Sequence, residues 1–218
     1  MAASVKNPVV LIHGACVPAV QWKRWTARYS ARGHSVVTVA VPLAPDSDDC
    51  LRPKFPNQGA AAMDYYEHLL QSIAEPPILI GHCIGGVVVQ YLLDRGLGVA
   101  GVALNTPPLS SHRPRRFEAA RQWLRLSRPA TPPAPPVGAS RSRAPLLLVG
   151  SGMDDLVPAS LIEQAAERGP EGTVTSYLEY PDACHHLVHT PGWQQINDDV
   201  LDWATLYAAP DRLTGADI

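Results

Sequence analysis

ILIGHCIGGVVV, residues 78–89, is the stretch that decides how this chain is read. An apolar run, Ile78-Leu79-Ile80, meets Gly81-His82-Cys83-Ile84-Gly85-Gly86, and a second apolar run continues to Val89 and Leu92. That order fits a strand, a sharp turn and a helix. Glycines at 81 and 85, two positions either side of Cys83, leave room for a tight backbone where side chains would clash. The turn tip then carries Cys83 and exposes it at the C-terminal end of a sheet strand. The pattern Gly-x-Cys-x-Gly is the cysteine form of the Gly-x-Ser-x-Gly nucleophile elbow. The dipole of the helix that starts there favours negative charge, including that of a thiolate. The simpler alternative is an ordinary glycine-bearing turn with a buried cysteine.

On both sides of this stretch, short β-branched apolar runs alternate with amphipathic segments. Strands are expected at 8–12, 35–41, 99–104, 145–149 and 173–180, which with the elbow strand makes six. Helices are expected at 19–32, 58–74, 158–168 and 192–207, with the elbow helix ending near Arg95. Trp22, Trp25 and Tyr29 share one face of the first helix, and Gly33 stops it. Pro76-Pro77 stops the second. Residues 42–57 read as a loop, with prolines at 42, 45, 53 and 56 and an acidic patch at Asp46, Asp48 and Asp49. Alternating strands and helices imply an α/β fold: a mostly parallel sheet with helices on both faces. Residues 105–144 break the alternation. A helix fits 115–126, but PATPPAPPVGAS at 129–140 is too rich in proline for a helix or a central strand.

Composition narrows the class. With 218 residues, one domain spanning 1–218 is expected, with enough chain for a substantial core. Hydrophobic residues make up 46%, charged residues 17%, and the net charge is -2, so nothing draws the chain to nucleic acid or membrane. No apolar run approaches about 20 residues, the length a bilayer span needs. The opening MAASVKNP lacks the apolar stretch of a signal peptide. Cys16, Cys50, Cys83 and Cys184 have neither metal-site nor disulfide-framework spacing. Reduced thiols in the cytoplasm and no metal are the expectation.

In a parallel sheet, chemistry gathers beyond the C-terminal strand ends. Four such ends carry suggestive residues: His13-Gly14-Ala15, His82-Cys83-Ile84, Met153-Asp154-Asp155 and Cys184-His185-His186. Nucleophile, acid, then histidine is the chain order of α/β-hydrolases. From Val9 to about Ala204 the chain resembles that superfamily. VVLIHGAC at 9–16, followed by Trp22, is similar to the opening of plant methyl esterases and hydroxynitrile lyases. LLLVGSGMDDLVP at 146–158 resembles the acid loop, where the aspartate stands four residues before a proline, here Asp154. DACHHLVHTPGW at 182–193 resembles the histidine loop, in a register that puts the catalytic position on His185. Two departures stand out. The usual serine is Cys83, and the β-hairpin that opens larger members has no counterpart before His13-Gly14.

The resemblance implies that Cys83 is the nucleophile, His185 its base, and Asp154 the group that orients the imidazole. Backbone N–H groups of Ala15 and Ile84 would form the oxyanion hole. His186 and His189 compete with His185, and Asp155 with Asp154, because loop registers slip. His82 reads as structural, packing below the turn. His13 is expected to shape the oxyanion loop and border the substrate. Cys184 reads as a small buried filler.

The expected reaction is hydrolysis of a small ester, lactone or thioester through a thioester on Cys83, with no cofactor. An acyltransferase or cyclase on the same elbow stays open. So do a binder that kept the fold without the chemistry, and a serine hydrolase whose serine has been replaced. The insertion at 105–144 stands where these enzymes carry a cap. It holds eight arginines, among them Arg113 and Arg116, against the single acidic residue Glu118. An anionic or carrier-protein-bound acyl substrate would be drawn to it, with Trp123 in an apolar pocket wall. A solvated surface is the plainer reading of the same charges. Oligomeric state is not legible.

Overall fold

Alternate side chains of the strands point to opposite faces of a single sheet, and this builds two cores, one on each face. The computed structural model describes residues 6–14, 19–40, 58–107 and 143–209. In chain order these form β1 (Val9–His13), a 3-10 turn (Ala19–Trp22) running into α1 (Lys23–Ala31), β2 (Val36–Ala40), α2 (Gln58–Gln71), β3 (Ile78–His82) and α3 (Ile84–Asp94). There follow β4 (Ala100–Leu104), β5 (Leu146–Ser151), α4 (Ala159–Glu167), β6 (Thr175–Tyr180) and α5 (Trp193–Ala208). Among the described residues the sheet has six strands in the order β2-β1-β3-β4-β5-β6. Every neighbouring pair is parallel. The expected mostly parallel α/β sheet is, among the described residues, wholly parallel.

Val10, Ile12, Leu79, Leu146 and Leu148 face one way and pack with Met63 and Tyr66 of α2, Val87 and Val88 of α3, and Ile162 of α4. Val9, Leu11, Ile78, Ile80, Val102, Leu147 and Val149 face the other way, against Trp22, Trp25 and Tyr29, and against Ile196 and Val200 of α5. A strand covered by helices on both faces has no polar side, which is why its sequence is a continuous apolar run. Trp22 and Trp25 meet edge to face at 5.4 Å, and Trp25 and Tyr29 at 5.9 Å.

The chain runs from β1 outward to β2, then crosses back to place β3 on β1's other side. Adjacent strands thus send their following segments in opposite directions, which opens a crevice at the ends of β1 and β3. The loop after His13 and the turn at Cys83 both lie there.

Two helix expectations are corrected. The first helix is not continuous from 19, because its opening turn winds as 3-10 before Lys23. The second ends at Gln71 rather than 74. Its last turn tightens, with Ser72 N–H donating to Leu69 O and Ile73 N–H to Leu70 O. Pro76 disfavours helical geometry in the residue before it, so the helix unwinds ahead of the proline pair. The expected loop at 42–57 and helix at 115–126 lie outside the described residues. No described helix is long and apolar enough to cross a membrane.

Candidate active site

The elbow is strained where the sequence places it. Cys83 has φ 54° and ψ -120°, between the last residue of β3 and the first of α3. The flanking glycines explain how the chain closes so tightly. A Cβ on Gly81 would lie 2.2 Å from Gly85 O, and one on Gly85 would lie 2.1 Å from Ile12 O. Cys83 N–H donates to Leu104 O at 2.8 Å, tying the elbow to β4.

One expectation fails here. Cys83 is fully buried, 0% exposed, not displayed at an open tip. The reason is the crevice itself. Gly14 presses so close that a Cβ on it would stand 3.2 Å from both Cys83 Cβ and Ile84 N. Val10, Ile12 and Val88 belong to the same apolar cluster as Cys83. Ile84 opens α3, so its backbone N–H has no acceptor within the helix. Ala15 lies outside the described residues.

Asp154 sits in the turn after β5, 6% exposed. Its Oδ1 accepts from the N–H groups of Leu156 and Val157, both at 2.8 Å. Its Oδ2 accepts from His185 Nδ1 at 2.7 Å. His185, 3% exposed, stands on the loop after β6. Burial works against its charge, yet its interactions with Asp154 and Cys83 raise its pKa to about 10. The structure thus brings Cys83, His185 and Asp154 together from three strand ends. Asp155 points outward to solvent.

The other histidines separate by environment. His82 is fully buried, and burial, then the neighbouring His185 charge, holds its pKa well below the ordinary value. It is therefore neutral. Its Nε2 lies 2.7 Å from the His185 carbonyl, so Nε2 carries the proton and donates it. His186 is half-buried with its ring 5.5 Å from that of His185, and burial lowers its pKa. His189 is exposed, one ring further out. His13 is half-buried, kept neutral by burial, with Nδ1 3.2 Å from Gly14 O. Cys184 is exposed, which corrects the buried filler expected. Trp123, Arg113 and Arg116 lie outside the described residues.

Sequence reading missed Asn105. It is fully buried at the end of β4, with φ 46°, and its amide reaches Ser151 Oγ at 2.9 Å, His185 O at 3.0 Å and Cys184 O at 3.2 Å. A signal existed: asparagine tolerates left-handed backbone better than other side-chain-bearing residues, and here it ends an apolar strand. Among the described residues no group of three or more His, Cys, Asp or Glu side chains could hold a metal ion.

A family model described as "Alpha/beta hydrolase family" matches residues 9–215. The chain belongs to the alpha/beta hydrolase family. Methylesterase 3 of Arabidopsis thaliana is 33% identical over 94 residues, which cover 41% of this chain and 34% of that protein. The match therefore spans about a third of that relative's length. Among solved structures, polyneuridine aldehyde esterase aligns with TM-score 0.63 and 15% identity over 91% of this chain and 99% of its own. A methylesterase from Arabidopsis aligns with TM-score 0.60 and 18% identity over 92% and 99%. The pyrethroid hydrolase PytH aligns with TM-score 0.62 and 15% identity over 93% and 98%. At these identities the likeness is one of fold. Within an alpha/beta hydrolase fold, a carboxylate on one ring nitrogen of a histidine holds the tautomer whose other nitrogen can exchange a proton.

Proposed function

We propose that this chain hydrolyses a small ester, lactone or thioester through a covalent thioester on Cys83, without a cofactor. The observation that carries the reading is the line from Asp154 through His185 to a cysteine at a strained strand–helix turn. The names of the relatives, methylesterase and esterase, favour an ester as substrate.

His185 takes the thiol proton of Cys83 as the sulfur meets the substrate. The thiolate attacks the acyl carbon, forming a carbon–sulfur bond and pushing charge onto the carbonyl oxygen. Ile84 N–H receives that oxyanion, with Ala15 N–H as its expected partner. As the intermediate collapses, the bond to the leaving group breaks and His185 gives it a proton. Water then adds to the thioester, His185 takes its proton, and Cys83 leaves as thiolate. Asp154 keeps the proton on His185 Nδ1 throughout, so Nε2 alone exchanges.

The test is intact-protein mass spectrometry after brief exposure to a panel of activated esters and thioesters, with digestion to locate the adduct. An acyl mass on Cys83, absent from Cys83→Ala, supports the reading. Turnover that survives in Cys83→Ala sinks it. Cys83→Ser separates a native cysteine enzyme, which slows, from a serine enzyme whose nucleophile was replaced, which speeds up. Product analysis with an added amine separates hydrolysis from acyl transfer.

A further inference from the structure

The described residues include two side-chain-bearing positions with positive φ, Cys83 and Asn105, at the ends of the neighbouring strands β3 and β4. The first carries the proposed nucleophile. The second makes no contact that the proposed chemistry uses, yet backbone strain of this kind persists only where surroundings enforce it. Its surroundings are specific. The Asn105 amide nitrogen has two hydrogens and three oxygens within reach: Ser151 Oγ, Cys184 O and His185 O. Ser151 begins the turn that holds Asp154, and its carbonyl accepts from Asp154 N–H at 3.1 Å. Cys184 and His185 form the histidine loop. Asn105 therefore grips both loops from the strand beside the elbow.

The grip is doubled at one atom. His185 O also receives His82 Nε2–H at 2.7 Å, and the two rings lie 4.9 Å apart. His82 is the residue just before Cys83. The carbonyl of the triad histidine is thus held by a donor from the nucleophile's own strand and by one from the next strand. Both donors are fully buried.

We infer that Asn105 and His82 are positioning residues for the hydrolase reaction: together they fix the His185 backbone, and through it the imidazole, relative to Cys83 and Asp154. The inference rests on the proposed triad. Its chemistry follows from hydrogen-bonding capacity. A carbonyl oxygen has two lone pairs, and here both are taken by protein donors that cannot drift, because each belongs to the core of the sheet. The left-handed conformation at Asn105 aims the amide at the two loops, which is what the strained backbone achieves. Neither residue need touch substrate.

The experiment compares Asn105→Gly, His82→Gln and His82→Leu with the parent. Glycine keeps the positive φ and removes only the amide. Glutamine can present a nitrogen donor where His82 Nε2 stands, and leucine cannot. Steady-state kinetics with p-nitrophenyl acetate are paired with the NMR resonance of the strongly hydrogen-bonded His185 Nδ1 proton. Asn105→Gly and His82→Leu should lower kcat about 10- to 100-fold, the scale set by small misplacement of a reacting group. KM should stay within about twofold, since binding contacts are untouched. The proton resonance should move or broaden in both, and His82→Gln should recover most of kcat and the parental resonance. A folded Asn105→Gly with parental kcat and an unmoved resonance overturns the inference, as does a His82→Gln as impaired as His82→Leu. The resonance needs no turnover. If Cys83→Ala shows the nucleophile assignment to be wrong, the proton signal still decides whether Asn105 and His82 position His185.

Discussion

Asp154 divides its carboxylate between two tasks: Oδ2 meets His185 Nδ1 at 2.7 Å, and Oδ1 takes two backbone N–H groups of its own turn at 2.8 Å. The second task fixes the first. A carboxylate locked to Leu156 and Val157 cannot rotate away from the imidazole, so it selects the tautomer with the proton on Nδ1 and leaves Nε2 as the nitrogen able to accept one.

Asp154→Asn tests that selection. The amide oxygen can still accept from the turn, so the loop keeps its shape. The amide nitrogen then faces His185 Nδ1, a donor against a donor, and the ring gives up the useful tautomer. Acylation by an activated ester should fall about 100-fold or more, read in a stopped-flow burst. A burst rate within twofold of the parent would show that Asp154 does not set the tautomer.

His185 also makes stability depend on pH. Its pKa is raised from the ordinary 6.5 to about 10 in the folded chain. A group whose folded pKa is raised contributes stability that is whole below about pH 6.5 and is lost as pH climbs toward 10. The groups around it are Asp154, Cys83, His82 and His186. The melting temperature should therefore decline between pH 6.5 and 10, the window given by His185. In His185→Gln the decline should flatten. An unchanged slope would place the titrating group elsewhere.

Gly85→Ala should be costly although the new side chain is one methyl. Its Cβ would fall 2.1 Å from Ile12 O, a backbone atom of β1, so β1 and α3 must part. A loss of about 3 kcal/mol or more is expected, at the upper end for overpacking. Urea unfolding measures it. A midpoint equal to the parent's would mean the helix start can shift freely.

Trp25 reaches from α1 to the far end of the histidine loop, where its indole N–H donates to Val188 O at 2.8 Å. Trp25→Phe keeps a ring beside Trp22 and Tyr29 and leaves that buried carbonyl without its donor. Stability should drop by about 1–3 kcal/mol. Trp25→Ala, which also empties the site, should cost about 3–5 kcal/mol. Equal losses in the two variants would assign the whole effect to packing.

Much of this was legible along the chain because the signals are local. Glycines two residues either side of Cys83 demand a close approach of backbones, and the structure supplies one at each. Apolar runs such as PLLLV at 145–149 announce strands covered on both faces. Trp22, Trp25 and Tyr29 fall on one helical face because their spacing matches the helical period. Even the pairing of Asp154 with His185 could be anticipated, through the loop patterns that hold them.

Other features arise only when distant segments meet. Whether Cys83 is open or covered depends on how near Gly14, just past the end of β1, comes to it, and no local pattern encodes that distance. Cys184 and His185 are chain neighbours with opposite fates, one exposed and one buried, because the loop's turn directs one side chain outward and the other onto the sheet. Asn105 and His185 lie 80 residues apart, and nothing near either announces the other. Strand order brings β4 beside β3, the parallel register sets their ends level, and only then does an asparagine amide reach a carbonyl on the histidine loop. Local periodicity reports what each segment must bury. Which polar groups then share one small volume is a property of the packed sheet, since a hydrogen bond of 3 Å tests the positions of both partners at once.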